Sequence, residues 1–182
     1  MVDTLSASGR ADSTYITFIS DNGFFLGEHR LTDKRLAYEE SMRVPLVVAG
    51  GSLSPRRLDG MALNIDIAPT VLELAGVAAP PEMQGRSLVK MLRGEAQQVR
   101  ESFLYEYFPE AMNPVLPGLL AVRTAAWLYA VSGVPEPNEE LYQLGSDPFE
   151  LTNLASRPEW GVARLELRRE LDRLLAETGS NR

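Results

Sequence analysis

The densest run of reactive side chains is Ser20-Asp21-Asn22-Gly23-Phe24-Phe25-Leu26-Gly27-Glu28-His29-Arg30-Leu31-Thr32-Asp33-Lys34-Arg35. The carboxylate of Asp21 and the amide oxygen of Asn22 are hard donors suited to Ca²⁺ or Mg²⁺. Lys34 brings an ammonium that can stabilise an anionic ester, and His29 can transfer a proton. Each has a plainer reading. Asn-Gly between apolar runs is a hairpin-turn signal, and a motif as short as Asp-Asn-Gly is more often a turn without metal. A lone His29 is more often a core-edge residue, and Lys34 between Asp33 and Arg35 resembles a solvated charge run. Types and spacing allow a metal-and-anion site without requiring one.

The elements around this run decide whether it is well placed. Thr14 to Ser20 is β-branched and aromatic with little alternation, as is Val44 to Ala49; both read as strands covered on two faces, as in a parallel sheet. Asp21 and Asn22 follow the first strand directly, where open α/β sheets bind ligands. Val2 to Ser8 reads as two helical turns closed by Gly9, with a short helix near Arg35 to Ser41. Asn64 to Ala75 reads as a helix with Leu63, Ile67, Val71 and Leu74 on its apolar face, Pro69 tolerated in its first turn and Gly76 at its end. Residues 77–118 show no clear period and include the aromatic run Phe103 to Phe108. Leu120–Thr124, Trp127–Val131 and Glu140–Leu144 then suit a small antiparallel sheet, and a helix from Val162 to Glu177 carries Leu167, Leu171, Leu174 and Leu175 on one face. The expected organisation is residues 1–100 as part of an α/β catalytic domain and 101–182 as a terminal subdomain. One strand pair is too little sheet to stand alone, so the sequence reads as the C-terminal part of something larger.

The composition excludes several classes. The chain has 182 residues, 45% hydrophobic and 24% charged, as globular proteins have. It has no cysteine, which removes disulfides, thiolate metal sites and a cysteine nucleophile from this sequence. The net charge of −7 arises in residues 101–160, which hold 2 basic and 9 acidic groups. No basic patch suggests nucleic acid, and no apolar run reaches the roughly 18 residues of a membrane span. Asp3 and the lack of a basic leader show no signal peptide in this stretch, which leaves the compartment open.

A longer series of motifs runs beyond this segment. Ser-Asp-Asn-Gly, Gly27-Glu28-His29, Asp33-Lys34-Arg35, Tyr38-Glu39-Glu40 and Arg43-Val44-Pro45-Leu46 are followed by Asn64-Ile65-Asp66-Ile67-Ala68-Pro69-Thr70 and Gly85-Arg86-Ser87-Leu88. Ala121-Val122-Arg123-Thr124, Glu140-Leu141-Tyr142-Gln143-Leu144 and Asp147-Pro148-Phe149-Glu150-Leu151-Thr152-Asn153-Leu154 complete the series. In this order it resembles the C-terminal part of the formylglycine-dependent sulfatases of the alkaline phosphatase superfamily, in particular bacterial relatives of the N-acetylglucosamine-6-sulfatases. The resemblance implies an α/β fold: the C-terminal part of a parallel or mixed sheet sandwiched by helices, plus a small antiparallel sheet with a terminal helix. It implies Asp21 and Asn22 as two ligands of a Ca²⁺ ion, Lys34 as the contact to the sulfate group, and His29 as a residue near the site. Arg123 lies in a matching motif with no substrate role implied.

The departures matter equally. The family's Cys or Ser-x-Pro-x-Arg, whose first residue becomes formylglycine, is absent: Ser146-Asp147-Pro148 and Ser156-Arg157-Pro158 are not followed by the required Arg. The early Asp-Asp ligand pair and the central histidine and lysine are also absent. Two oxygen ligands cannot hold Ca²⁺ tightly, and without a nucleophile covalent catalysis is closed. The expectation is a sulfatase-family chain, inactive alone, whose complete enzyme acts on a sulfated small molecule or glycan, with a separate N-terminal half as a partner and neither nucleic acid nor membrane. Two alternatives stand beside it. One is a phosphoester or phosphonate hydrolase of the same superfamily, disfavoured by an amide at Asn22 where those relatives have imidazole. The other is a non-catalytic module that uses the aromatic run Phe103 to Phe108 as an interface.

Overall fold

The computed structural model describes residues 2–51, 53–110, 116–133 and 138–180. They form two compact units, Met1–Asn22 with Arg43–Arg100, and Gly23–Met42 with Glu101–Arg182.

In the first unit, helix α1 (Val2–Ala7) ends at Gly9, whose φ of +67° is the left-handed conformation expected of it. Strands β1 (Tyr15–Ile19) and β4 (Leu46–Gly50) pair with Phe18 opposite Val47. The pairing is antiparallel, whereas their unbroken apolar runs suggested a parallel pair. Nor are both faces covered: no residue of either strand is fully buried, and Phe18 and Val47 are 64% and 57% exposed. Apolar runs report a hydrophobic surface, not strand direction.

Beyond β4, a 3₁₀ turn at Asn64–Asp66 leads into α3 (Ile67–Leu74), and Gly76 closes it at φ +72°. The buried face of this helix matches the leucine spacing only in part, with Leu63, Ile67 and Leu74 half-buried. Val71 is exposed, while Asp66, Pro69 and Thr70 are buried. Thr70 explains the exchange: its hydroxyl donates to the Asp66 carbonyl at 2.6 Å and accepts the Leu88 N–H at 2.9 Å. That second bond ties α3 to the start of α4 (Val89–Arg93), whose Val89 and Met91 are buried.

The second unit is built on a four-stranded antiparallel meander, β5 (Ser102–Tyr107), β6 (Leu119–Thr124), β7 (Trp127–Ser132) and β8 (Asn138–Gln143), in that spatial order. The last three lie close to where short runs separated by turn residues placed them. β5 is the aromatic run that sequence reading left unassigned; it pairs with β6 along its whole length, and Tyr107 is buried, so most of the run is sheet and not a free interface. Because side chains alternate across a sheet, each strand feeds two cores. Tyr107, Leu119, Ala121, Leu128, Ala130 and Tyr142 pack with Ala37 on one side. Val122, Tyr129 and Leu141 pack with Leu167, Leu171 and Leu174 on the other.

The second cover is α5 (Gly161–Thr178), in which Leu167, Leu171 and Leu174 are buried as their spacing predicts and Leu175 is partly buried. The first is the segment 23–42, with the two-residue strands β2 (Phe25–Leu26) and β3 (Thr32–Asp33) and the short helix α2 (Glu39–Met42). Ala121 and Ala130 are directly opposed in the centre of the sheet. Their small side chains leave space for Ala37 and Tyr38. The segment carrying Lys34 and His29 is thereby packed against the sheet.

Candidate functional site

Asp21 and Asn22 lie immediately after β1. A type I′ hairpin at Asn-Gly would need positive φ at both residues, and neither has it. The turn is organised by hydrogen bonds instead. The Ser20 hydroxyl donates to the Asn22 carbonyl at 2.9 Å, and the Asn22 N–H donates to Asp21 Oδ1 at 3.0 Å. The Asn64 side-chain amide donates to the carbonyls of Asp21 at 2.8 Å and Ser20 at 3.2 Å. Sequence reasoning saw Asn64 within a motif and gave it no task.

The 3₁₀ turn that carries Asn64 ends on a buried ion pair, Asp66 with Arg100. Asp66 is fully buried and accepts four N–H groups: the backbones of Leu63 and Arg86, each at 2.7 Å, and two nitrogens of Arg100 at 2.5 Å. Gly85 precedes this contact because a Cβ there would lie 1.9 Å from the Ile65 carbonyl oxygen. Two of the sequence motifs, Asn64 to Thr70 and Gly85 to Leu88, are therefore halves of one polar knot that fixes the amide gripping the Asp21 turn.

In the second unit Gly23 has a similar reason: a Cβ would lie 2.0 Å from the Glu40 carbonyl oxygen. Lys34 is half-buried, flanked by Asp33 and Arg35 at φ of 80° and 97°. Those left-handed conformations are costly for residues other than glycine, about 1–3 kcal/mol each. Arg35 is paired with Asp33 and, at 3.3 Å, with Glu110, and its N–H donates to the Ser41 hydroxyl at 3.2 Å. These bonds hold the backbone beside Lys34.

His29 is also left-handed, at φ 52°. Its ring lies 4.2 Å from that of Tyr38 and edge-on to Phe25 at 6.1 Å, and its Nε2 is 3.4 Å from Glu40 Oε2. Glu150, 1% exposed and also left-handed, completes a cluster: one ligand-type atom from each of His29, Glu40 and Glu150 lies within 4.8 Å of the other two. Glu150 accepts the Glu39 N–H at 2.8 Å. Burial pushes its carboxyl up to about 7, helped by the charges of Glu39 and Glu40 and opposed by that backbone bond and by Arg123. Arg123 is a structural partner, donating to Glu39 Oε1 at 3.0 Å. Beside the cluster, Tyr38 and Tyr142 share Glu140 Oε2 at 2.9 and 3.1 Å, and burial raises the Tyr38 hydroxyl to about 12. Sequence reasoning missed Glu40 and Glu150; both stand in quoted motifs, but only the fold makes them neighbours of His29.

Asp21 and Asn22 thus belong to the first unit, and His29 and Lys34 to the second. The comparisons with known proteins cover both units. The family described as N-sulphoglucosamine sulphohydrolase, C-terminal, matches residues 27–177. The choline-sulfatase of Rhizobium meliloti is 38% identical over 170 residues, covering 92% of this chain and 32% of its own length. The N-acetylglucosamine-6-O-sulfatase of Bacteroides thetaiotaomicron is 32% identical over 189 residues, covering 98% of this chain and 32% of its own. This chain therefore spans about a third of the curated relatives it matches. A protein solved in complex with its substrate D-glucosamine-2-N,6-O-disulfate superposes with a TM-score of 0.90 at 30% identity, over 99% of this chain and 37% of that one. The phosphonate monoester hydrolase of Agrobacterium radiobacter superposes with a TM-score of 0.83 at 26% identity, over 97% and 38%. The expected mixed α/β fold of the alkaline-phosphatase-like enzymes is confirmed by these neighbours. The chain belongs to the sulfatase family, as a C-terminal domain of the N-sulphoglucosamine sulphohydrolase type.

Proposed function

We propose that this chain supplies part of the metal site and the sulfate-contacting lysine of a calcium-dependent sulfuric ester hydrolase acting on a sulfated sugar. Its formylglycine nucleophile would be borne by polypeptide outside this sequence. The observation that carries the reading is the Asp21-Asn22 turn at the end of β1, clamped by Asn64, in a chain of the sulfatase family.

The donors fit calcium in kind. A carboxylate and an amide oxygen are hard ligands, but Ca²⁺ takes six to eight, so two require completion from elsewhere. When bound, the ion would neutralise the sulfate and favour ionisation of the nucleophile. The work of this chain's own residues is positional and electrostatic. Asn64 holds the carbonyls of Ser20 and Asp21, which leaves the Asp21 and Asn22 side chains on a fixed turn. Lys34 places a positive charge against the sulfuryl oxygens, where charge develops as the ester bond breaks. The imidazole of His29 faces Glu40, an arrangement better suited to holding its segment than to protonating a departing alcohol. The isolated chain, with no nucleophile, is inactive in this reading.

Phosphonate ester hydrolysis is the second reading, supported by the Agrobacterium radiobacter neighbour. Asn22 argues against it, because an amide oxygen does not favour the metals that imidazole attracts. A chimera separates the two. Residues 1–182 would replace the matching third of the Bacteroides thetaiotaomicron N-acetylglucosamine-6-O-sulfatase, and sulfate release from N-acetylglucosamine-6-sulfate would be followed with and without Ca²⁺. Calcium-dependent release supports the proposal. A folded chimera that cleaves a phosphonate monoester in preference, or releases no sulfate, refutes it.

A further inference from the structure

We propose that His29, Glu40 and Glu150 form a binding site for a divalent transition metal of the zinc class, separate from the calcium ligands Asp21 and Asn22. Three observations within the second unit carry it. One ligand-type atom from each residue lies within 4.8 Å of the other two. Glu40 Oε2 and Glu150 Oε1 are buried oxygens that accept no hydrogen bond, Glu40 Oε2 lying 3.4 Å from His29 Nε2, and Glu150 is 1% exposed. Buried carboxylate oxygens are rarely left so, because their desolvation is otherwise uncompensated. Finally, Arg123 already serves Glu39 and the Thr124 carbonyl, so it is not a dedicated counter-charge for the pair.

The donor set selects the ion. One imidazole and two carboxylates match zinc-class cations in ligand type, and two carboxylates with a neutral imidazole balance a 2+ charge. Calcium is disfavoured, since it needs six or more oxygens. Ligands 2.0–2.1 Å from one tetrahedral ion lie about 3.4 Å apart, the separation that His29 Nε2 and Glu40 Oε2 already have, so atoms as far as 4.8 Å apart must close by up to about 1.4 Å through side-chain rotation. The ligands come from three separate places: His29 from the turn between β2 and β3, Glu40 from α2, and Glu150 from the loop after β8. A bound ion would cross-link the segment bearing Lys34 to the loop after the sheet. The site is a staple for that segment and takes no part in ester cleavage.

The test is Zn²⁺ binding to the complete 182-residue chain, by equilibrium dialysis and calorimetry after EDTA treatment. The proposal expects one Zn²⁺ per chain and a Tm raised by about 5–10 °C at a hundredfold excess over Kd. His29→Ala and Glu150→Gln should each weaken binding by more than ~100-fold, beyond what loss of an outer partner costs. Asp21→Ala should leave it unchanged, which keeps this outcome independent of the calcium reading. Absence of Zn²⁺ binding and of any Tm shift in the wild-type chain overturns the proposal without recourse to variants. Undiminished binding by folded His29→Ala and Glu150→Gln chains overturns it too, since surface carboxylates would then be the ligands.

Discussion

Replacing Arg100 by methionine tests whether the buried knot around Asp66 governs the first unit. Methionine keeps an unbranched apolar stem while removing the guanidinium. Asp66 would lose two charge-assisted hydrogen bonds at 2.5 Å and keep only the backbone N–H groups of Leu63 and Arg86. Hydrogen bonds to charged groups contribute about 1.5–3 kcal/mol each, and stranding one partner of a buried pair costs about 3–5 kcal/mol. Since domains are stable by only about 5–15 kcal/mol, this is a large share. Trp127 and Trp160 both lie in the second unit, so tryptophan fluorescence reports on the wrong part of the chain. Hydrogen–deuterium exchange of peptides from 15–22 and 60–100 is the suitable assay. Arg100→Met should raise exchange in both, including the Asp21 turn reached through Asn64, while peptides from β6 and β7 change little. Replacing both partners, as in Asp66→Leu with Arg100→Met, should cost less than the sum of the single changes. If Arg100→Met costs under about 1 kcal/mol, or leaves exchange at residues 20–22 unaltered, the knot does not support that turn.

Two further outcomes follow from the same structure. Burial and a 2.6 Å bond to Glu139 hold the Tyr129 hydroxyl at about 12, against 10.0 for a free tyrosine. The folded state favours the neutral phenol, so this contribution is intact below pH 10 and lost as pH rises through 12, about 3 kcal/mol in all. Tyr129→Phe should flatten alkaline unfolding over that interval, and an unchanged profile would refute the assignment. The pure chain should hydrolyse no aryl sulfate even with added Ca²⁺, as followed by nitrophenol release; clear turnover would show that a nucleophile is present after all.

Much of the fold was legible in local pattern. Leu167, Leu171 and Leu174 declared their helix face because nothing polar competes with them for burial. Strands β6 to β8 declared themselves as short runs bounded by turn residues. β5 was missed although Phe103, Tyr105 and Tyr107 alternate with Leu104 and Glu106, which is a legible strand pattern. The direction of β1 against β4 was illegible because apolar runs look alike in either pairing. The burial of Asp66 and Thr70 around α3 was illegible because it depends on Arg100, Arg86 and Leu88, distant in sequence. The candidate site divides similarly. Asp21, Asn22, His29 and Lys34 could be named from one continuous segment. Asn64, Glu40 and Glu150 acquire meaning only when the fold brings them to the Asp21 turn or to the His29 ring.

The central claim is that Lys34 faces the sulfate of the complete enzyme. Its most direct test is the kcat/KM for N-acetylglucosamine-6-sulfate of the chimera with Lys34→Ala, set beside the unaltered chimera and one with Lys34→Arg. The account predicts a fall of roughly 10²–10³-fold for alanine, the scale of a lost charge-stabilising donor, with partial recovery for arginine. Near-normal turnover by the alanine form would contradict it.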